Sequence, residues 1–197
     1  MSELTLEVGQ AVEIKLAARR AGATNADIKA LCEGDMFASI LPVLRGRAKV
    51  VVNSILTFVH SLHLAAQSAV TTNDQYFEEA GVKWTGSNFK AQFLGLEVAA
   101  TGGAALAVRK LEEDSLDAPI LAELGDKAEI SVSQFRAFLA ANRESKEWFI
   151  FYLRGKDGEL WAVYADWYSG SGGWYVYADS VAGPDRWDAG LRVVSRN

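Results

Sequence analysis

Cysteine is almost absent from this chain, and its scarcity excludes several kinds of site. Cys32 is the one cysteine among 197 residues. An intrachain disulfide, a cysteine-rich zinc site and a CxxC redox motif are therefore excluded. A lone thiol is typical of a reducing compartment. We therefore expect a cytoplasmic protein.

Long apolar runs and an excess of basic residues are also missing. The most apolar stretch, residues 50–70, is interrupted by polar residues such as Asn53 and His60, which argues against a membrane span. The amino-terminal residues lack the basic-then-apolar pattern of a signal peptide. The formal net charge is -5 at pH 7, whereas non-specific phosphate binding needs a basic surface. We expect neither a membrane nor a nucleic acid as partner.

Sequence signals for cofactors and metals are few. No Walker loop or dinucleotide fingerprint is present, and the glycines of Ser169–Gly173 lie between aromatic strands instead of before a helix. They predict a hairpin tip, not a phosphate cradle. His60 and His63 would lie near one face of a predicted helix, but they lack a third ligand nearby. We predict no cofactor, no metal and two partly buried histidines.

The amino-terminal part of the chain reads as helical. Half of the chain is hydrophobic (50%), so a substantial core can form. Patterns predict helices at residues 6–21, 24–34, 35–44 and 53–69, and a short strand at 48–52. Thr24 and Asp27 resemble a capping box at the start of the second helix. Because residues 71–90 are rich in loop formers, we place a boundary near residue 72, which gives domains 1–72 and 73–197.

The carboxyl-terminal part mixes helices and grouped strands. Pro119 and Gly125 bracket one predicted helix, and Ser131 with Gln134 forms a capping box before another. Predicted strands lie at residues 93–99, 104–108, 148–153, 160–167, 174–179 and 191–195. Asp157-Gly158 predicts a tight hairpin turn, and the apolar run 148–153 predicts a strand buried on both faces. Grouped strands indicate the α+β class.

The most distinctive segment is Tyr164–Asp179, which is dominated by Tyr, Trp, Ser, Gly and Asp. This composition is typical of binding surfaces, because aromatic rings give rigid contact area while Ser and Gly adapt to the shape of the ligand. On a strand, Trp174, Val176 and Ala178 would share one face and Tyr175, Tyr177 and Asp179 the other. The alternative is an ordinary aromatic sheet, because aromatic residues favour strands for packing reasons alone.

Two segments carry a resemblance to a known family. The capped helix Ile130–Leu139 resembles the "VTxxQYxxFL" helix of formylglycine-generating-enzyme-like domains, which have the C-type lectin fold. The segment Ala189–Arg196 is similar to their closing strand. Within that fold, the frame of Trp167, Trp174 and Trp187 looks closest to the variable ligand-binding proteins of diversity-generating retroelements, and is similar to uncharacterised candidate-phylum bacterial proteins.

The resemblance implies a C-type-lectin-like domain with short antiparallel strands and two helices. Such a domain would bind a protein or glycan ligand through the polar and aromatic positions between the frame tryptophans. These implied ligand contacts are Tyr168, Ser169, Ser171, Tyr175, Tyr177, Asp179, Asp185 and Asp188. Formylglycine chemistry needs reactive cysteines, and residues 90–197 contain none. The expectation is a non-enzymatic binding protein.

Two other functions stay open. Asp166 with Asp179 or Asp185 would be the carboxylates of a carbohydrate-active hydrolase. The sequence pattern of residues 17–28 resembles a helix-turn-helix, which is typical of a DNA-associated regulator. Only Lys29 would place a basic charge on the second helix, so packing or oligomerisation is favoured for this segment.

Overall fold

The structure, a computed structural model, describes residues 7–33, 36–48 and 54–197. The chain divides into two compact units, Met1–Asn53 and Ser54–Asn197. The predicted helix start at residue 6, the predicted end and start at residues 34–35 and most of the predicted strand 48–52 lie outside the described residues.

The first unit contains three helices, as the sequence pattern predicts for residues 7–33 and 36–44. They are α1 (Val8–Arg20), α2 (Asn25–Cys32) and α3 (Met36–Leu44). The capping box before α2 is confirmed: Thr24 Oγ1 accepts from Asp27 N (3.3 Å), and Thr24 N donates to Asp27 Oδ2 (2.7 Å). No residue of these three described helices is buried, so packing within this unit leaves their apolar side chains accessible.

The second unit is a mixed α/β structure built on one large sheet. Its helices are α4 (Asp74–Glu78), α5 (Ser87–Phe93), α6 (Asp117–Leu124) and α7 (Val132–Ala141), with a 3-10 turn at Gly125–Lys127. Its strands are β1 (Leu56–Leu64), β2 (Val70–Thr71), β3 (Val82–Thr85), β4 (Glu97–Val98), β5 (Ala104–Leu111), β6 (Phe149–Arg154), β7 (Leu160–Tyr168), β8 (Gly173–Ser180) and β9 (Arg192–Arg196).

Seven of these strands form a mixed sheet in the order β1-β5-β9-β6-β7-β8-β3, while β2 and β4 pair separately. The pairs β6–β9 and β3–β8 are parallel, and the other pairs of the large sheet are antiparallel. The sheet therefore contains two parallel pairs, whereas the prediction was a domain of short antiparallel strands. The described part of the second unit also has four α-helices instead of the expected two.

Two hydrophobic clusters cover opposite faces of the sheet. Phe149 and Phe151 of β6 belong to the larger cluster with side chains of α4, α5 and α7, and Ile150 and Tyr152 belong to the smaller cluster with α6. Successive side chains of a strand point to opposite faces. Because all four are buried, the prediction of a strand covered on both faces is confirmed for residues 149–153. Trp148, which the prediction included, precedes β6 and is exposed.

Local signals in this unit mostly hold. Ser131 Oγ accepts from Gln134 N (3.1 Å) and Gln134 Oε1 from Ser131 N (2.9 Å), which confirms the capping box of α7. The turn after β6 contains Gly158 with a φ of 79°, the left-handed conformation that glycine adopts without strain. The Asp-Gly hairpin is confirmed, because β6 and β7 pair antiparallel around it.

Three predicted elements are wrong. The predicted helix 53–69 is the strand β1, where Leu62 and Leu64 pack on the larger cluster and the intervening His63 is exposed. Antiparallel pairing with β5 along residues 56–64 overrides the helical prediction. Residues 71–90 hold α4, β3 and the start of α5, and the predicted strand 93–99 contains the end of α5 and the two residues of β4. The two compact units divide after Asn53, whereas the sequence boundary near residue 72 was placed on the loop formers of residues 71–90.

Candidate ligand-binding face

One half of a sheet face is only partly covered. Ile150 of β6 lies under α6 and pairs with Tyr164 of β7, which pairs with Tyr177 of β8. Paired residues share a face, so α6 and these tyrosines lie on the same side of the sheet. Side chains of β7, β8 and β3 beyond α6 are half-buried or exposed there. We call this surface the aromatic face, and it consists of Trp84, Tyr164, Asp166, Tyr168, Tyr175, Tyr177 and Asp179.

Five rings form a continuous row along this face. Tyr164 stacks on Tyr177 with ring centroids 4.9 Å apart and planes at 9°. Trp84 lies 4.9 Å from the Tyr177 ring and 5.8 Å from the Tyr175 ring. Tyr168 continues the row at 5.2 Å from Tyr175. Each ring therefore restricts the movement of its neighbours.

The other side of β8 is anchored in the core. Trp174, Val176 and Ala178 are buried, as the alternation predicts. The Trp174 indole donates to the Leu139 carbonyl oxygen of α7 (3.0 Å), which gives this buried N–H a partner. The strand therefore presents Tyr175 and Tyr177 from a fixed backbone.

A cleft of about 250 Å³ adjoins the row where Tyr164 meets the loop before β9. Its lining residues are Asp117, Tyr164, Asp179, Ser180, Gly183, Asp185, Arg186 and Trp187. Asp117, from the first turn of α6, accepts hydrogen bonds at Oδ1 from the Tyr152 hydroxyl (2.7 Å) and the Trp187 indole (2.8 Å). The Trp187 ring also meets the Tyr164 ring edge-on at 5.1 Å. These contacts hold one wall of the cleft in place.

The charges of the cleft act on one another. Burial raises the pKa of Asp117 above its usual value, and the charge of Asp179 raises it further, against two stabilising hydrogen bonds. Burial raises the pKa of Tyr164, and the carboxylates of Asp179 and Asp185 add to this effect. Partial burial also raises the pKa of Asp166. The cleft therefore places three carboxylates, of Asp117, Asp179 and Asp185, and one cation, Arg186, next to aromatic rings.

The structure brings most of the sequence-predicted ligand residues to this region. Tyr168, Tyr175, Tyr177 and Asp179 lie on the aromatic face, and Asp185 lines the cleft. Ser169 and Ser171 are exposed in the turn between β7 and β8, where the Ser171 hydroxyl donates to the Tyr168 carbonyl oxygen (3.3 Å). Asp188 is exposed in the loop after Trp187 and is not among the residues that line the cleft.

Sequence reasoning missed three contributors. Trp84 is 43% exposed and comes from a segment predicted as loop, so only the parallel pairing of β3 with β8 brings it to Tyr175. Asp117 arrives by the packing of α6, which no local pattern encodes. The sequence pattern could have identified Tyr164. This residue precedes Asp166 by two positions on a predicted strand, so the two side chains share a face.

The two histidines do not form a pair. His60 and His63 lie on β1 instead of a helix, and both are exposed, so the prediction that they are partly buried is wrong. Their odd spacing puts them on opposite faces of the strand. Across residues 7–33, 36–48 and 54–197, no group of three or more His, Cys, Asp or Glu is arranged to hold a metal ion.

Comparisons with protein-family models, with curated proteins and with solved structures found no match. Among the helices in the described part of the chain, none has the length and apolar character that a membrane crossing requires.

Proposed function

We propose that this protein is a non-enzymatic binding protein that recognises a protein or glycan ligand through the aromatic face. The observation that supports the proposal most strongly is the row of five aromatic rings on a part of the sheet that α6 leaves accessible. Exposed aromatic rings keep apolar area in contact with water, and a ligand that covers them regains that free energy.

The geometry of the row suits recognition. Tyr and Trp have few rotatable bonds, so their immobilisation on binding costs little entropy. Mutual stacking fixes the rings before a ligand arrives, which lowers that cost further. The phenol groups and the carboxylates of Asp166 and Asp179 provide polar contacts that would fix the orientation of the ligand.

We also propose that the second unit has a C-type-lectin-like fold and belongs to the variable proteins that retroelements diversify. We further propose that the protein is cytoplasmic. Support comes from the capped helix α7, which packs behind the sheet, and from β9, which lies between β5 and β6. The neighbouring DNA tests this proposal. We expect a reverse transcriptase gene beside a near-copy of the last gene segment that differs only at adenines; an unrelated neighbourhood without them contradicts it.

The binding proposal is tested by the double variant Tyr175→Ala/Tyr177→Ala. Immobilised glycans and a displayed peptide library are screened with the unaltered protein, and the best binder is titrated against the variant. Loss of two central aromatic contacts should weaken binding by about 30-fold or more. Because both rings are half-buried, the variant should remain folded, with a stability loss of about 1–2 kcal/mol.

Phe58→Ala is the matched control. Phe58 is an exposed aromatic residue on β1, at the opposite edge of the same sheet. The Phe58→Ala variant should bind the selected glycan or peptide as tightly as the unaltered protein does. Equal binding by the double variant and the control would contradict the role of the aromatic face.

A carbohydrate-active hydrolase is the alternative that one observation favours. Burial raises the pKa of Asp166, which is what a general acid needs. However, Asp166 pairs with Tyr175, four residues before Asp179 on β8, so their backbones are roughly 13 Å apart. Glycosidase carboxyls lie about 5–10 Å apart. Turnover of chromogenic glycosides that disappears in Asp166→Asn would favour the hydrolase.

The DNA-associated alternative receives less support. Lys29 is the basic residue of α2, and its ammonium lies 3.7 Å from the Glu33 carboxylate, which offsets its charge. A gel-shift assay at physiological salt decides this alternative, because phosphate binding of this kind would survive only with several free basic contacts.

A further inference from the structure

The cleft beside the aromatic face contains a buried carboxylate that is only half satisfied. Asp117 is 5% exposed, and both of its hydrogen bonds, from Tyr152 and Trp187, end on Oδ1. Oδ2 receives no hydrogen bond from any described residue. A carboxylate oxygen that is removed from water without a donor is costly.

The position of Oδ2 follows by elimination. Among the described residues that are not exposed, Thr101 Oγ1 is the one fully enclosed side-chain polar atom without a partner. Asp117 Oδ2 lacks a partner but is not enclosed, so it must face open space. The open space that Asp117 borders is the cleft. The unpaired oxygen is thus available to a donor that enters there.

Charge decides which donor suits the cleft. Asp117, Asp179 and Asp185 line it against one cation, the exposed Arg186. Asp117 is buried in the wall of the cleft, while Asp179 and Asp185 are exposed at it. Carboxylates grouped in a cleft focus a negative potential and attract cations. A metal ion has no suitable cluster among the described residues, which leaves organic cations.

The walls favour an ammonium group on an alkyl chain. The rings of Tyr164 and Trp187 meet edge-on at this position, and an ammonium gains from aromatic faces as well as from carboxylates. An ammonium offers three N–H donors, which matches several carboxylates better than a hydroxyl does. A volume of about 250 Å³ admits such a group with its stem.

We infer that this cleft binds a primary alkylammonium group, supplied by a lysine side chain of a protein ligand that also covers the aromatic face. The inference rests on the proposed function for the source of the lysine. Tyr164 belongs to both the row of rings and the cleft, so one ligand can occupy both.

The experiment follows the indole ¹⁵N–H signal of Trp187 by NMR, assigned with a Trp187→Phe variant. The probe is n-butylammonium chloride, compared with n-butanol and with sodium chloride at equal ionic strength. We expect the signal to move saturably with a dissociation constant of about 1 mM. Butanol and sodium chloride should leave it nearly unchanged.

Two matched variants localise the effect. Asp185→Asn removes a cleft carboxylate, and Asp188→Asn removes the same charge from an exposed position three residues later. Loss of one charge-assisted contact should weaken butylammonium binding about tenfold in Asp185→Asn. Asp188→Asn should change it less than about twofold. Equal weakening in both variants, or equal shifts with butanol, overturns the site.

Peptides identify the source of the amine. A lysine peptide that binds more tightly than spermidine, and that loses binding when the lysine is acetylated, supports a protein ligand. Tighter binding of spermidine overturns that source. Tyr168→Ala/Tyr175→Ala removes two rings of the aromatic face that do not stack on Tyr164. This variant should keep butylammonium binding, so failure of the aromatic face and failure of the cleft are distinguished.

Discussion

At the scale of single residues, Asp117 combines two opposing requirements. Its Oδ1 organises Tyr152 and Trp187, whereas burial and the charge of Asp179 disfavour its ionised form and raise its pKa. The folded protein therefore holds the Asp117 proton to a higher pH than the unfolded chain does. Between the two pKa values the native state binds more protons, so this group reduces stability as pH rises.

Asp117→Asn tests that sign. The amide oxygen can still accept from Tyr152 and Trp187, but the side chain no longer titrates. The free energy of unfolding of the variant minus that of the unaltered protein should therefore increase from about pH 3 to about pH 7. Urea unfolding at a series of pH values measures the difference. A constant or decreasing difference would mean that ionised Asp117 is not disfavoured in the fold.

Residue patterns predicted the part of the candidate site on β8, but not the parts contributed by β3 and α6. The alternation from Trp174 to Asp179 was enough to separate buried from accessible side chains, because a strand repeats every two residues. Trp84 and Asp117 could not be found in this way. Both come from elements far away in the sequence, and they join the site only through the β3–β8 pairing and the packing of α6.

At the scale of elements, the end of α6 depends on one glycine. Gly125 has φ 57° and ψ -134°, a conformation that side chains with a Cβ adopt only under strain. It turns the chain into the 3-10 segment that leads to α7. No atom lies within 4 Å of a Cβ built there, so the requirement is conformational and not steric.

Gly125→Ala should lower the free energy of unfolding by about 1–3 kcal/mol. Gly102→Ala is the control, because a Cβ there also meets nothing within 4 Å and its φ is not in the left-handed range. That control should be neutral or stabilising by up to about 1 kcal/mol. Chemical denaturation of both variants decides the matter, and equal losses would contradict a conformational cause.

Element prediction succeeded where signals were local. Capping residues and the Asp-Gly turn are read within four residues of chain, and they marked α2, α7 and the β6–β7 hairpin. The prediction for segment 53–69 failed because its apolar residues fit both a helix and a strand. The residue that pairs with Leu62 is Leu106 of β5, 44 residues further along the chain. Where the hydrophobic pattern fits both a helix and a strand, pairing with a distant strand decides which of the two forms.

At the scale of the whole molecule, the buried core of the described residues lies within the second unit. Both hydrophobic clusters are built from residues between Leu56 and Val194. The three helices of the first unit contribute no buried residue. Most of the favourable burial that stabilises a fold is therefore present in residues 54–197.

A chain shortened to residues 54–197 should unfold cooperatively, with a thermal midpoint within about 2–4 °C of the full chain, which corresponds to about 1 kcal/mol for a domain of this size. Circular dichroism at increasing temperature measures the midpoint. Its helical signal should decrease by the share of α1, α2 and α3. A broad or absent transition would contradict an autonomous second unit.

The alternation within β8 has a consequence for how this protein tolerates change. Trp174, Val176 and Ala178 hold the strand in place from one side, while Tyr175, Tyr177 and Asp179 meet the surroundings from the other. Exchanges at the second set alter what the molecule contacts without removing the packing that keeps the backbone ordered. The outer side of this strand can therefore change, one side chain at a time, while the inner side preserves the architecture.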